Sequence, residues 1–173
     1  CKNLLSARRD PDFVNSALEK ECALGYIKGP YKSLPFSNYR VSPIGVAIGK
    51  YSGKKRLIID LSHPRDSSET SVNESMDKDN CSVEYIRFQD AIDLIRKEGA
   101  NSWLCKVDIQ DAFKQLGVKE DQWKYFCIKW NDMYYVLVRL CFGSRSSPKL
   151  FTELSRALAW IATHVFNIKN VLY

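Results

Sequence analysis

The sequence predicts an α+β fold, in which helices and β-hairpins occupy separate segments of the chain. Two pairs of β-rich runs each surround a short turn, which is the pattern of a hairpin. Three other segments carry apolar residues at spacings of three and four, which indicates amphipathic helices. A chain of 173 residues with 45% hydrophobic composition can bury a core and form one domain or a large part of one.

The first helix is predicted to begin at Asp10 and Pro11, where a capping residue precedes a proline in the first turn. Apolar residues then recur at helical spacing from Val14 to Cys22, and Gly25 ends the helix. The residues after this helix include prolines and tyrosines without any period, so we expect an extended, irregular connection.

The first predicted hairpin pairs residues 41–48 with residues 56–61 around a loop that carries three lysines. Lysines at an exposed hairpin tip often only keep a strand edge soluble. In the alternative interpretation the loop is a flexible clamp that holds a polyphosphate, with Lys50, Lys54 and Arg56 as the candidate donors. Asp60, farther along the second strand, is expected to pair with a neighbouring base.

A polar stretch at 63–80 is predicted to be a surface loop. His63, which begins it, has no partner acid or second histidine at ligand spacing, and we interpret it as structural. Helical spacing returns over 85–98, and Gly99 is expected to end that helix.

The second predicted hairpin joins 124–130 to 133–140. A glycine-containing turn at 140–148 then leads into a long helix, whose apolar stripe runs from Phe151 to Val165 and is expected to be buried. Because helix starts attract phosphate, the turn before this helix is a candidate ligand contact.

The residues that most suggest chemistry lie at 106–113, after a strand-like run at 103–107. Asp108 stands where this strand is predicted to give way to a short helical turn, in which Asp108 and Asp111 would share a face. Mg²⁺ prefers carboxylate, carbonyl and phosphate oxygens, so the Asp108 carboxylate and the Ile109 backbone carbonyl are candidate ligands. An aspartate at a strand end is also a common helix cap or turn-former, and the local pattern leaves both alternatives open.

Charge and cysteine content restrict the class of protein. The net charge of +6 favours an acidic partner such as nucleic acid, although a basic surface can also serve solubility alone. The six cysteines form no CxxC pair, which disfavours a zinc site and favours reduced thiols in an intracellular protein, with cytoplasm and nucleus both open. No stretch approaches the roughly 20 apolar residues of a membrane span.

The order of these segments resembles that of reverse transcriptases: a basic hairpin with RLIIDLS, then KVDIQDAF, then LCFGSRSSP, a long helix and a strand that begins NVLY. The segments GYIKGPY, RVSPIGV, RLIIDLSHP, SVN and VDIQDAF are most similar to those of the tyrosine-recombinase (DIRS-like) retrotransposons. The resemblance covers nearly the whole chain. It implies a right-hand polymerase fold, with fingers at approximately 1–100 and 117–146, a partial palm at approximately 101–116 and 147–173, and no thumb.

The resemblance implies a role for each residue that matches a motif around KVDIQDAF. Asp108 matches the first catalytic aspartate, and the backbone carbonyl of Ile109 matches a second metal ligand. Asp111 and Ala112 match backbone positions along the nucleotide triphosphate. Phe113 matches the residue that excludes the ribose 2′-hydroxyl.

Four further residues match positions around the incoming nucleotide. Lys50 and Arg56 match the fingers residues that close on its phosphates, and Phe142 and Gly143 match the turn beneath the nucleotide and the template base. Cys141 departs from the family, which commonly has a proline there.

The activity implied is addition of deoxynucleotides to a primer 3′-hydroxyl by in-line phosphoryl transfer, with two Mg²⁺ or Mn²⁺ ions about 3.5 to 4 Å apart. The partners implied are an RNA or DNA template with its primer and deoxynucleoside triphosphates, with no membrane and an open oligomeric state. The family's paired YxDD aspartates are expected just after residues 171–173, so this chain alone is expected to be inactive. A non-catalytic nucleic-acid-binding module and a degenerate transposon remnant are the alternatives.

Overall fold

The structure is a computed structural model that describes residues 1–66 and 69–169. Within these residues the helices and strands follow the mixed order that the sequence predicts. In chain order they are α1 (Leu5–Arg8), α2 (Pro11–Ala23), β1 (Ile27–Tyr31), β2 (Val41–Ser42), β3 (Ile44–Ile48), β4 (Lys55–Ile59), α3 (Phe88–Glu98), two 3₁₀-helices (Ala112–Gln115 and Glu120–Tyr125), β5 (Cys127–Trp130), β6 (Met133–Leu137) and α4 (Ser147–His164).

The strands form two separate sheets. Four strands lie in the order β1-β6-β5-β2, with β6 antiparallel to both of its neighbours and β2 parallel to β5. The other sheet is the antiparallel pair β3 and β4, in which Val46 lies opposite Leu57. Both predicted hairpins are therefore confirmed.

The predicted strand at 41–48 is divided by Pro43 into two strands that belong to different sheets. Proline has no N–H to donate to a neighbouring strand, so the ladder is interrupted at this residue. The Pro43 carbonyl instead accepts the Asp60 N–H at 2.9 Å. The division lets one continuous segment connect the two sheets.

Helix α2 confirms the first predicted helix and supplies one side of the core. Val14 and Leu18 on this helix are buried, and they join a single cluster with residues of both sheets. Asp10 does not cap the helix with its side chain; its carboxylate pairs with Lys55 at 2.5 Å instead. This ion pair joins the start of α2 to the base of the β3–β4 hairpin.

Helices α3 and α4 lie largely outside the core. No residue of α3 is buried, and Gly99 ends this helix with φ of 89° as predicted. The apolar stripe of α4 was expected to be buried, but Leu158 and Val165 are 45% and 63% exposed. The elements that the structure describes contact α4 near its beginning, where it meets the Ala112–Gln115 helix, and they leave its later turns uncovered.

The prediction of a strand at 103–107 is wrong for the described residues. This segment has no regular secondary structure, and Trp103 is fully exposed. A strand requires a neighbour to receive its backbone hydrogen bonds, and no strand in the described ranges pairs with this segment. The strand predicted to begin at residue 170 lies outside the described residues. None of the described helices is both long and apolar enough to span a membrane.

Candidate functional site

Asp108 lies on an exposed, irregular segment that ends at the Ala112–Gln115 helix. The predicted short helix is confirmed, but it begins after both aspartates, so they do not share a helical face. Asp111 has φ of 50° and ψ of 38°, a left-handed conformation in which aspartate is more common than most residues. Its carbonyl accepts the Lys114 N–H at 2.7 Å and closes the first helical turn.

The Asp111 side chain is held from outside its own segment. Tyr26, beside β1, donates its hydroxyl to the Asp111 carboxylate at 3.3 Å. Desolvation and the charge of this carboxylate raise the pKa of Tyr26. Lys114 pairs with Glu21 of α2, and its Nζ lies 5.0 Å from the centre of the Tyr26 ring. The Asp111 carboxylate is thereby held by Tyr26, which lies between α2 and β1, while the Asp111 backbone remains in the turn.

Phe113 and Phe142, which come from different motifs, contact each other directly. Their ring centroids are 4.8 Å apart, and the Phe151 ring of α4 lies 5.7 Å from that of Phe113. Phe113 is partly buried and packs against the main core, whereas Phe142 is 62% exposed. The structure therefore brings these two predicted site residues together and leaves Phe142 open to a ligand.

Position 143 requires glycine for two reasons, its backbone conformation and the close approach of neighbouring atoms. Its φ is +94°, and a Cβ added here would lie 2.7 Å from the carbonyl oxygen of Ile59. A backbone oxygen cannot rotate away as a side chain can, so this turn approaches the end of β4 as closely as a glycine allows. The predicted turn beneath the nucleotide is thus packed on the strand that carries Arg56.

Lys50 and Arg56 are exposed on the β3–β4 hairpin. Lys50 lies in its turn, with Nζ 5.6 Å from the Tyr51 ring centre, and Arg56 lies on β4 opposite Ala47. Neither forms an ion pair with any residue that the structure describes, whereas Lys55 is neutralised by Asp10. Across residues 1–66 and 69–169 no ion pair or hydrogen bond connects Lys50 or Arg56 to Asp108.

The residues around Asp108 fit part of a magnesium site. Its exposed carboxylate and the Ile109 carbonyl are hard oxygen donors of the kind that Mg²⁺ prefers. No group of three acidic, histidine or cysteine side chains in the described part of the chain could hold a metal ion. The two oxygens of the Asp60 carboxylate accept hydrogen bonds from the Arg65 guanidinium at 2.6 and 3.0 Å. This confirms the prediction that Asp60 pairs with a neighbouring base.

Cys141, which stands where the resemblance predicts a proline, is a packing residue. Its side chain is buried in the main core beside Phe142, and burial raises the pKa of its thiol to about 12. A neutral, buried thiol is a poor nucleophile and a poor metal ligand at ordinary pH. The departure from proline therefore leaves the core filled without adding a reactive group.

Several residues of this region were missed by sequence reasoning. Glu21 and Lys114 pair only in three dimensions, and their spacing carries no motif. Asn73, predicted to lie in a surface loop, is buried and hydrogen-bonded to the Gly143 carbonyl at 2.8 Å. Tyr26 and Asn73 lie in the segments GYIKGPY and SVN, on which the resemblance rests, and that resemblance was the signal that could have singled them out.

Comparisons with known proteins gave matches in structure only. No protein-family model matches the sequence, and no curated protein matches it. The foamy viral protease-reverse transcriptase in complex with dsDNA aligns with 91% of this chain at 17% identity and a TM-score of 0.53, over 27% of its own length.

Two other foamy virus structures align with more of the chain. The Prototype Foamy Virus Protease-Reverse Transcriptase CSH mutant covers 99% of this chain at 12% identity and a TM-score of 0.61, over 20% of its own length. The foamy viral enzyme in complex with RNA/DNA hybrid covers 99% at 14% identity and a TM-score of 0.57, over 20% of its length. This chain spans about a fifth to a quarter of those proteins. At these identities the likeness establishes the fold, and the protein has a mixed α/β fold similar to part of a reverse transcriptase.

Proposed function

We propose that the chain is part of an RNA-directed DNA polymerase of a DIRS-like retrotransposon and forms the fingers and the nucleotide-facing part of the palm. The observation that carries the proposal is the packing of three motif segments at one place. Phe113 contacts Phe142, and Gly143 lies against the end of β4, three residues beyond Arg56. Motif residues that act on one nucleotide must converge in this way, and the shared fold supports the same conclusion.

The phosphates of the nucleotide would be held by the β3–β4 hairpin. Lys50 and Arg56 are exposed and carry charges that no described acid neutralises, so they are available to an anion. Arg can bind a phosphate through two parallel hydrogen bonds, and Lys contributes a mobile point charge. Lys54 is exposed on the same loop and would add to the attraction for phosphate, which salt screens.

The turn at Asp111 and Ala112 supports contact with phosphate through the backbone. A left-handed residue followed by right-handed ones directs consecutive N–H groups to one side, a geometry that favours anions. The Asp111 carboxylate would repel a triphosphate, but it is held by a hydrogen bond from the Tyr26 hydroxyl. Phe113, whose ring lies beside that of Phe142, would then form the surface on which the sugar rests.

Asp108 and the Ile109 carbonyl would hold Mg²⁺ or Mn²⁺, which when bound stabilises charge on the attacking and leaving oxygens of phosphoryl transfer. The described residues supply only part of such a ligand set, so the remaining acids must come from elsewhere in the polymerase. The chain's own residues orient the nucleotide and neutralise its phosphates. The template and primer would be RNA or DNA, attracted by a chain whose net charge is +6, and their affinity should fall with added salt.

Primer extension tests the proposal in a chain that continues through the rest of the palm and the thumb. Asp108→Asn should abolish magnesium-dependent extension and preserve salt-sensitive binding of template and primer, because it removes a metal-facing charge and no cation. Asp132→Asn is the matched control, since Asp132 lies on the exposed β5–β6 turn with its carboxylate paired to Lys129. Near-normal extension by Asp108→Asn would show that another acid is used. If the extended chain without any substitution bound template and primer but did not extend the primer, a non-catalytic nucleic-acid-binding module would be favoured.

A further inference from the structure

Asn73 occupies a central position between three segments of the chain. Its backbone N–H donates to the Leu61 carbonyl at 3.0 Å, just beyond β4. Its side-chain amide donates to the Ser62 hydroxyl and to the Gly143 carbonyl, both at 2.8 Å, and accepts the Arg145 N–H at 2.9 Å. One side chain thus joins the end of β4 to the turn that precedes α4.

The orientation of the Asn73 amide is fixed by chemistry. A carbonyl oxygen such as that of Gly143 can only accept a hydrogen bond, and the Arg145 backbone N–H can only donate one. The amide nitrogen must therefore face Gly143 and the amide oxygen must face Arg145. The side chain is 7% exposed, so water cannot easily replace either partner.

The loop around Asn73 is itself held firmly. The Ser71 N–H donates to the Glu74 carboxylate at 2.8 Å, and the Glu74 N–H donates to the Ser71 hydroxyl at 3.2 Å. Hydrogen bonding from the backbone N–H and then the side chain of Ser71 lowers the pKa of the Glu74 carboxyl. Arg145 adds a second connection through its guanidinium, which donates to the Met76 carbonyl at 3.0 Å. A fixed loop is what a residue needs if it is to set the position of another segment.

We propose that Asn73 is a positioning residue for the nucleotide site: it fixes the turn at Gly143 against the end of β4 and so determines where Phe142 lies. The consequence for nucleotide binding rests on the proposed function, whereas the effect on the turn does not. Because the Asn73 backbone N–H also donates to the Leu61 carbonyl, just beyond β4, the β3–β4 hairpin and the turn beneath the nucleotide are held as one unit. Asn73 itself would touch neither the reacting atoms nor the nucleotide.

The effect on the turn is tested in the 173-residue chain by NMR. Asn73→Asp keeps an acceptor for the Arg145 N–H but replaces the donor to Gly143 by a repelling oxygen. We expect a changed carbonyl ¹³C shift at Gly143 with slow hydrogen exchange kept at Arg145, whereas Asn73→Ala should alter both. Ser62→Ala is the matched control, because it removes the other acceptor of the same amide and leaves Gly143 bonded. Should the buried carboxylate prevent folding, Asn73→Ser replaces it.

The effect on nucleotide binding is tested in the extended polymerase by steady-state kinetics. Loss of a buried hydrogen bond beneath the nucleotide should raise KM for the deoxynucleotide by about tenfold, with kcat changed far less. Ser62→Ala should leave both constants near their original values. An unchanged Gly143 shift and an unchanged KM in folded Asn73→Asp would overturn the inference. If the turn responds as expected but the unaltered polymerase uses no nucleotide, the proposed function and the nucleotide half of the inference both fail, and the structural half is established.

Discussion

Replacing Gly143 by alanine measures how closely the turn before α4 packs on the end of β4. Two costs are expected. A side chain at positive φ is strained by roughly 1–2 kcal/mol, and the added Cβ meets the Ile59 carbonyl oxygen at 2.7 Å. Relieving a contact with backbone requires movement of one segment, for which overpacking typically costs about 1–3 kcal/mol.

Gly53→Ala separates these two costs. Gly53 also has positive φ, +64°, but a Cβ added there would have no atom within 4 Å. Both substitutions gain roughly 0.4–1 kcal/mol because alanine restricts the unfolded chain. We therefore expect Gly53→Ala to lower the free energy of unfolding by about 1 kcal/mol or less, and Gly143→Ala by about 2–4 kcal/mol.

Urea unfolding followed by circular dichroism gives both values, provided that the denaturant dependence stays the same between variants. The difference between them is the cost of the close approach to Ile59. Equal destabilisation by the two substitutions would refute the packing of the turn on β4, and with it the convergence of the motif segments.

Three other predictions concern the Phe113 ring, the buried thiols and the β3–β4 hairpin. Phe113→Val should lower the free energy of unfolding by about 1–3 kcal/mol, because the Phe113 ring is partly buried against two other rings. In the extended polymerase the same substitution should raise the use of ribonucleotides relative to deoxynucleotides. Unchanged sugar selectivity would contradict the role of Phe113 in excluding the ribose 2′-hydroxyl. Burial raises the pKa of the Cys127 and Cys141 thiols to about 12, which leaves them little thiolate at pH 8. They should therefore be alkylated by iodoacetamide much more slowly than Cys105, which is exposed, and equal labelling by mass spectrometry would contradict their burial. Arg56→Gln should weaken nucleotide binding and reduce the salt dependence of that binding, as measured by fluorescence titration at several ionic strengths. An unchanged salt dependence would show that Arg56 does not contact the phosphates.

The sequence predicted those parts of the fold that depend on local pattern. Helix α2 and the two hairpins were found from periodicity and turn residues, because each forms most of its hydrogen bonds within a short segment. The prediction of a strand at 103–107 was wrong, because a strand forms only beside a partner strand. An apolar run of residues does not by itself show whether such a partner is present. The division at Pro43 was missed for a similar reason, since it depends on which sheet each half joins.

The candidate site shows the same limit at the level of side chains. Phe142 and Gly143 could be singled out because a family motif names them, and the structure places them beside Phe113 and β4. Tyr26 and Asn73 were not singled out, although both lie in segments of the resemblance, because each makes a contact that matters here with a residue at least 70 positions away. Such contacts leave no period or spacing in a single sequence.

A nucleotide titration of the 173-residue chain, followed by amide NMR shifts, tests the central claim most directly. With Mg²⁺ and a deoxynucleoside triphosphate, we expect the largest changes at Lys50, Arg56, 111–113 and 142–143, where the hairpin, the left-handed turn and the glycine turn meet one ligand. The β5–β6 turn at 131–132 should not respond, which provides an internal control. Changes confined to other surfaces, or no change at millimolar nucleotide, would contradict the assignment of these residues to a nucleotide site.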